Sequence, residues 1–204
     1  MSSKIETLFP SYIYRGTLSG AKSLNRDFEQ EIRTLAEIDD HGVDWSHTSY
    51  HGGYSSYSSM DKLHRTSPNF AELEKRLAPH VRKFVRKLNW DLRGQSLEMT
   101  TCWANLMGPG THHTMHTHPG SVLSGVYYVS VPPGSSPLKL EDPRLGLLMA
   151  APPRRSKAPA REQNYLLLPP VAGGFVLFES WMRHEVPPHR GAKNRLSISF
   201  NYEW

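Results

Sequence analysis

The sequence predicts an antiparallel double sheet or barrel backed by helices, a mainly β class with its helices gathered upstream. Two observations carry this. Apolar residues between positions 24 and 88 recur at helical steps, and from about residue 96 the period drops to two. Short apolar runs then follow in series at 121–132, 138–141, 165–168, 174–179 and 194–202, separated by Gly, Pro and His-rich turns. With 204 residues and no break in composition, one domain over 1–204 is expected. Its first part, 1–95, reads as helical and irregular, and 96–204 as the β core.

The first helix shows a single apolar face, Leu24, Phe28, Ile32, Leu35 and Ile38. The second opens on Ser67-Pro68, a cap and first-turn pair, and presents Phe70, Leu73, Leu77, Val81, Phe84, Val85 and Leu88, with Pro79 expected to bend it. Between them, residues 45–60 are rich in Ser, Tyr, His and Gly without periodicity, and read as a loop that could line a substrate entrance. In the first strand Met99, Thr101, Trp103, Asn105 and Met107 alternate with Thr100, Cys102, Ala104 and Leu106. In the last, Arg195, Ser197, Ser199 and Asn201 share one face, and Leu196, Ile198, Phe200 and Tyr202 the other.

Composition narrows the class further. A 38% hydrophobic and 21% charged chain is ordinary globular protein, which removes disorder, collagen and coiled coil. Cys102 stands alone and has no intrachain partner for a disulfide. The apolar stretch 165–178 is broken by Pro169, Pro170, Gly173 and Gly174, and the N-terminus lacks the apolar core of a signal peptide, so a cytoplasmic protein without membrane contact is expected. The net charge of +5 is concentrated between Lys75 and Arg93 and in Arg154, Arg155, Lys157 and Arg161. Without a zinc-finger, RNA-binding or helix-turn-helix pattern, these clusters read as a solvated helix face and an exposed loop rather than a nucleic-acid surface. No dinucleotide, P-loop or hydrolase-elbow motif is present.

The informative segment is GPGTHHTMHTHPGSVLSGVYY, residues 108–128, which holds His112, His113, His116 and His118. On an extended chain His116 and His118 fall on one side and can share a metal ion, with a third ligand supplied from elsewhere. His184 follows the apolar strand Phe175–Phe178 by a few residues. Arg195 then opens RLSISFN, on the polar side of its strand, where a buried guanidinium requires an anion.

These motifs together, HTHPGSVLSGVYYV, DPR, the Gly-to-Phe-Glu-Ser-Trp-x-x-His run and RLSISFN, resemble the Fe(II)/2-oxoglutarate-dependent oxygenases, and more closely a small bacterial family of 2-oxoglutarate–Fe(II) oxygenases. The resemblance covers roughly residues 97–202. It implies a double-stranded β-helix (jelly-roll, cupin-like) core with the N-terminal helices packed on one sheet. It further implies iron held by His116 and His184, and 2-oxoglutarate anchored by Arg195 and Ser197. The reaction implied is oxidative decarboxylation of 2-oxoglutarate to succinate and carbon dioxide, coupled to hydroxylation of a C–H bond of a small molecule, amino acid or peptide side chain.

One position departs from the superfamily pattern. Where most such oxygenases carry Asp or Glu two residues after the first His, this chain has His118. Three readings are open: His118 ligates and the triad is all histidine; only His116 and His184 bind, with water third; or Asp142 completes the site. An all-His site also suits a cupin-like metalloenzyme that does not use 2-oxoglutarate, against which Arg195 argues. Asn105, on the face of Trp103, is a candidate for contact with the cosubstrate. So is Tyr127, placed with His116 and His118 across the Pro119-Gly120 turn, while Tyr128 is assigned to the core. The long Pro-rich loop 143–164 is read as a lid over the substrate.

Overall fold

The computed structural model describes residues 2–204. The upstream half carries β1 (Ile13–Thr17), α1 (Ala21–Ile38), α2 (Asp40–Ser49), β2 (Gly53–Ser55), a 3-10 turn at Ser56–Ser58, α3 (Leu63–Thr66) and α4 (Pro68–Leu88). The downstream half carries β3 (Glu98–Met107), β4 (His113–His116), β5 (Leu123–Ser130), β6 (Leu138–Glu141), α5 (Leu147–Ala150), β7 (Tyr165–Leu168), β8 (Gly174–Glu179), β9 (His184–Val186) and β10 (Arg195–Glu203). They form two antiparallel sheets, a six-stranded one ordered β1-β8-β5-β10-β3-β2 and a four-stranded one ordered β4-β9-β6-β7. This is the double-sheet fold that the change of period announces. Among the described residues no helix is long and apolar enough to cross a membrane.

The larger sheet separates two cores. On its outer face α1 and α4 bury Phe28, Ile32, Phe70, Leu73, Leu77 and Phe84 against Ala104, Tyr127, Leu177, Ile198 and Phe200. Phe28 meets the Phe70 ring edge-on at 5.1 Å, and each such fully buried side chain contributes about 1.5–3 kcal/mol. Ile38, expected on this face, is exposed, because Asp39 ends the helix before it can turn inward. The basic residues of α4 take the solvated side, where Arg76 pairs with Glu72 at 2.7 Å and the chain runs on through Pro79. Asn89 closes this helix in the left-handed conformation, φ 55°. Between the sheets, Val126, Leu138, Leu140, Leu168, Val176 and Phe178 form the second, smaller core.

Two upstream segments differ from the sequence reading. β1 pairs with β8 as the edge of the larger sheet. Its pattern IYRGT lacks alternation because Gly16 must be bare: a Cβ there would stand 2.6 Å from the Phe175 ring. The Ser/Tyr/His segment is likewise not a plain loop, since it holds the end of α2, β2 and a 3-10 turn. The buried Asp39 carboxylate organises it, accepting the Gly42 N–H at 3.0 Å, the Tyr54 hydroxyl at 2.8 Å and the Ser59 hydroxyl. Burial pushes this carboxyl up, yet the hydrogen bonds from Ser59, Gly42 and Tyr54 outweigh it and hold the group below its ordinary range. In β3, a register shift opposite Asn201/Tyr202 turns Met99 to the helix side, away from Trp103, Asn105 and Met107.

Candidate metal centre

β4 and β9 are antiparallel neighbours, and their register sets His116 directly opposite His184. His118 lies beyond the end of β4, held by donation of its backbone N–H to the Ser180 carbonyl at 3.2 Å. The three rings converge: one possible ligand atom from each lies within 4.8 Å of the other two. His118 Nε2 and His184 Nε2 face each other at 3.2 Å. Two nitrogens each roughly 2.1 Å from one ion and at right angles would stand about 3.0 Å apart, so this spacing suits adjacent ligands of a metal.

The other ring nitrogens are committed to groups that aim the rings. His116 Nδ1 donates to the Thr114 carbonyl at 2.6 Å and His184 Nδ1 to the Met182 carbonyl at 2.9 Å, which leaves Nε2 of each with a free lone pair. His118 Nδ1 faces Nδ2 of the Asn201 amide at 3.3 Å, an amide whose oxygen and nitrogen can exchange places by a flip. That amide is also bonded to Thr101 and Ser124 hydroxyls, which can donate or accept and so serve either orientation. With the amide oxygen toward Nδ1, His118 donates there and frees Nε2 for a metal. Asn201→Leu is therefore expected to weaken metal binding by roughly 10–100-fold without unfolding the chain, measured by competition with a chromophoric chelator.

Burial lowers the proton affinity of two of these histidines. His118 is held at about 4 and His184 at about 3, chiefly by desolvation, with His116 adding repulsion. Both are neutral, hence ready to bind metal, throughout the physiological range. Above pH 6.5 neither folded nor unfolded chain protonates these rings; below it the unfolded chain takes up protons that the folded one refuses. Urea midpoints of the metal-free protein are expected to fall from pH 6.5 toward 4, more shallowly in His118→Asn.

Deeper in the same cavity, between the sheets, lies Arg195, 2% exposed. Its Nη1 donates to Ser197 Oγ at 3.3 Å and lies 3.9 Å from Met107 Sδ, and its guanidinium carbon sits 5.1 Å from the centre of the Tyr128 ring. Nε is buried without a partner. Among the described residues no carboxylate lies within 4.0 Å of this guanidinium, and no Asp or Glu lines the cavity. A buried cation without a counter-ion costs free energy that an anionic ligand would return. The cavity is small, about 60 Å³, and walled by Val126, Phe178 and Val186.

The structure corrects three of the site expectations. Tyr127 is on the wrong side: β5 pairs with β10 so that Tyr127 stands beside Ile198 and Tyr128 beside Ser197. Tyr127 packs on Phe28 and donates its hydroxyl to Asn25 at 2.6 Å, in the helix-side core. Tyr128 faces the cavity instead, its hydroxyl buried without a partner; a two-by-two count from His118 reaches it, and not Tyr127. Asp142 is excluded as a ligand, because Arg144 holds it at 2.7 and 3.0 Å and it borders a different cavity. None of residues 143–164 lines the histidine cavity; part of that loop borders the other one, of about 760 Å³, near β1 and β7.

Asn105 does line the cavity, but its amide is largely engaged, accepting from Ser55 Oγ at 2.9 Å and donating to Ser199 Oγ at 3.1 Å. Sequence reasoning missed Tyr50, which is buried in the same wall 4.8 Å from the His113 ring. Burial raises its hydroxyl against the pull of Arg195. Its place at the end of a short polar helix carries no periodic signal. His113 reaches the cavity as a fourth histidine, held near 3 mainly by burial, whereas His112 is exposed.

Comparison with known proteins agrees with this geometry. Residues 101–201 match the model of a family described as "Putative 2OG-Fe(II) oxygenase". No curated protein matches the sequence. Among solved structures, a Pseudomonas putida prolyl-4-hydroxylase is 17% identical, with a TM-score of 0.60 over 95% of this chain and 92% of its own. The α-ketoglutarate-dependent epimerase SnoN from nogalamycin biosynthesis is 16% identical, with a TM-score of 0.62 over 95% and 76%. HygX from Streptomyces hygroscopicus, solved with nickel, 2-oxoglutarate and hygromycin B bound, is 13% identical, with a TM-score of 0.63 over 95% and 83%. The chain spans 56% of the length of an oxidoreductase from Burkholderia pseudomallei. At these identities the neighbours share a fold.

Proposed function

We propose that this chain, whose residues 101–201 match a family described as 2OG-Fe(II) oxygenases with iron(II) and 2-oxoglutarate as cofactors, is a dioxygenase that hydroxylates an unactivated C–H bond. Its substrate is a small molecule, an amino acid or a peptide side chain. When bound, iron and 2-oxoglutarate supply the oxidising chemistry, with dioxygen consumed and succinate and carbon dioxide released. His116, His118 and His184 hold the iron, aimed by the Thr114 and Met182 carbonyls and by Asn201. Arg195 and Ser197 take the distal carboxylate of the cosubstrate. The Tyr128 hydroxyl and the second N–H of Asn105 face the same space. Apolar walls at Val126, Phe178 and Val186 keep water out.

The observation that carries this reading is Arg195, a buried guanidinium without a carboxylate partner, in the same cavity as the histidine triad. Three imidazole ligands would leave the charge of a divalent ion uncompensated, so a dianionic cosubstrate would offset the metal with one carboxylate and meet Arg195 with the other. The all-histidine triad also favours a second reading, a cupin-like metalloenzyme that makes no use of 2-oxoglutarate. Succinate release separates the two. The iron-loaded protein, given 2-oxoglutarate and air, is expected to form succinate in step with oxygen uptake. Oxygen uptake without succinate would contradict the proposal and support the second reading.

A further inference from the structure

We infer that the primary substrate is a flat, ring-bearing molecule, neutral or anionic, bound on an aromatic ledge formed by Trp103, Tyr57 and Trp45 outside the metal cavity. The inference rests on the proposed metal and cosubstrate sites. The cavity, at about 60 Å³, holds only a few water-sized groups. A dicarboxylate cosubstrate would leave no room there for a second molecule, which places the molecule to be oxidised at the mouth.

The ledge begins inside that mouth. Trp103 lines the cavity, and its ring lies 6.0 Å from that of His118. Tyr57 meets Trp103 edge-on at 5.0 Å, and Trp45 follows at 6.0 Å from Tyr57. Exposure peaks at the middle ring: Trp103 is 5% exposed, Tyr57 48%, and Trp45 is half-buried. The three rings thus run in contact from beside a proposed metal ligand to the protein surface, which they reach at Tyr57.

Its supports are rigid. Trp45 lies on α2 and Tyr57 in the 3-10 turn after β2. Several of the serine and aspartate groups around them are used internally. Ser46 Oγ accepts the Ser55 N–H at 3.0 Å, Ser56 Oγ accepts the Ala104 N–H at 3.1 Å, and Asp39 gathers Gly42, Tyr54 and Ser59. Among what the segment turns outward is the aromatic surface of Tyr57, half in water, with Trp45 beside it, and a planar ligand would cover it. Charge selects among such ligands. The cavity lining has Arg195 and no carboxylate, and a bound divalent metal would add to the positive field, so a cationic ring is disfavoured.

The test uses paramagnetic relaxation. Manganese(II) is loaded with 2-oxoglutarate, and line broadening is recorded for 2-naphthol and for decahydro-2-naphthol, a saturated probe of similar size. The naphthol protons are expected to broaden strongly and those of the saturated probe weakly. Tyr57→Ala and Trp45→Ala should each weaken naphthol binding by roughly tenfold, while broadening of the 2-oxoglutarate methylenes stays unchanged. Equal broadening of the two probes, or naphthol broadening that survives both substitutions, would overturn the ledge. Absence of 2-oxoglutarate broadening in the wild type would instead overturn the site on which the ledge depends.

Discussion

Arg195→Met is expected to weaken 2-oxoglutarate binding by more than roughly 100-fold, because removing one partner of a buried charge pair costs about 3–5 kcal/mol. The same substitution should leave metal binding intact, since among the described residues Arg195 makes no hydrogen bond to the histidine rings. It should also raise the urea midpoint of the ligand-free protein. Arg195 is 2% exposed, has an orphaned Nε and no carboxylate nearby, so the free protein carries the desolvation cost of that charge. An unbranched apolar chain of similar length fills the space and removes it. Calorimetric titration and denaturation of the same variant check both halves. A loss of binding accompanied by loss of stability would mark Arg195 as a structural residue instead.

His184→Ala is expected to reduce metal content from one ion per chain to a trace after dialysis. Loss of an outer-shell partner already costs roughly 10–100-fold in affinity, and this change removes a ligand outright. It also opens a void against the Phe178 ring, whose centroid lies 4.7 Å from that of His184, so folding is verified by circular dichroism. Position 118 discriminates between the two ligand sets left open once Asp142 is excluded. If His118 ligates, His118→Ala loses most of the affinity and His118→Asp retains it, because a carboxylate can occupy the same position. If water is the third ligand, His118→Ala binds metal as the wild type does.

The β architecture and most of the site could be read from residue order because both depend on period-two alternation. Once β10 is drawn with Arg195, Ser197, Ser199 and Asn201 on one face, the cavity wall follows, and the structure keeps that assignment. The pairing of His116 with His184 needed the fold, since no spacing reveals that β4 and β9 are neighbours across 68 positions. Tyr127 was misplaced although a two-by-two count from His118 reaches Tyr128, and the pairing of β5 with β10 keeps that parity by setting Tyr128 beside Ser197. β1 escaped because a bare glycine under Phe175 interrupts its pattern. Tyr50, Tyr57 and Trp45 were legible only as composition. Their placement comes from a buried aspartate and a chain of serine hydrogen bonds, which leave no periodic trace.

The most direct measurement of the central claim is the visible spectrum of protein prepared without oxygen, loaded with iron(II) and then given 2-oxoglutarate. Chelation of the metal by a 2-oxo acid produces a weak metal-to-ligand charge-transfer band. The band is expected in the wild type, at one equivalent of cosubstrate, and is expected to disappear in Arg195→Met under the same conditions. Stoichiometric iron with no band in the wild type would contradict the account and leave a three-histidine metal protein that does not use 2-oxoglutarate.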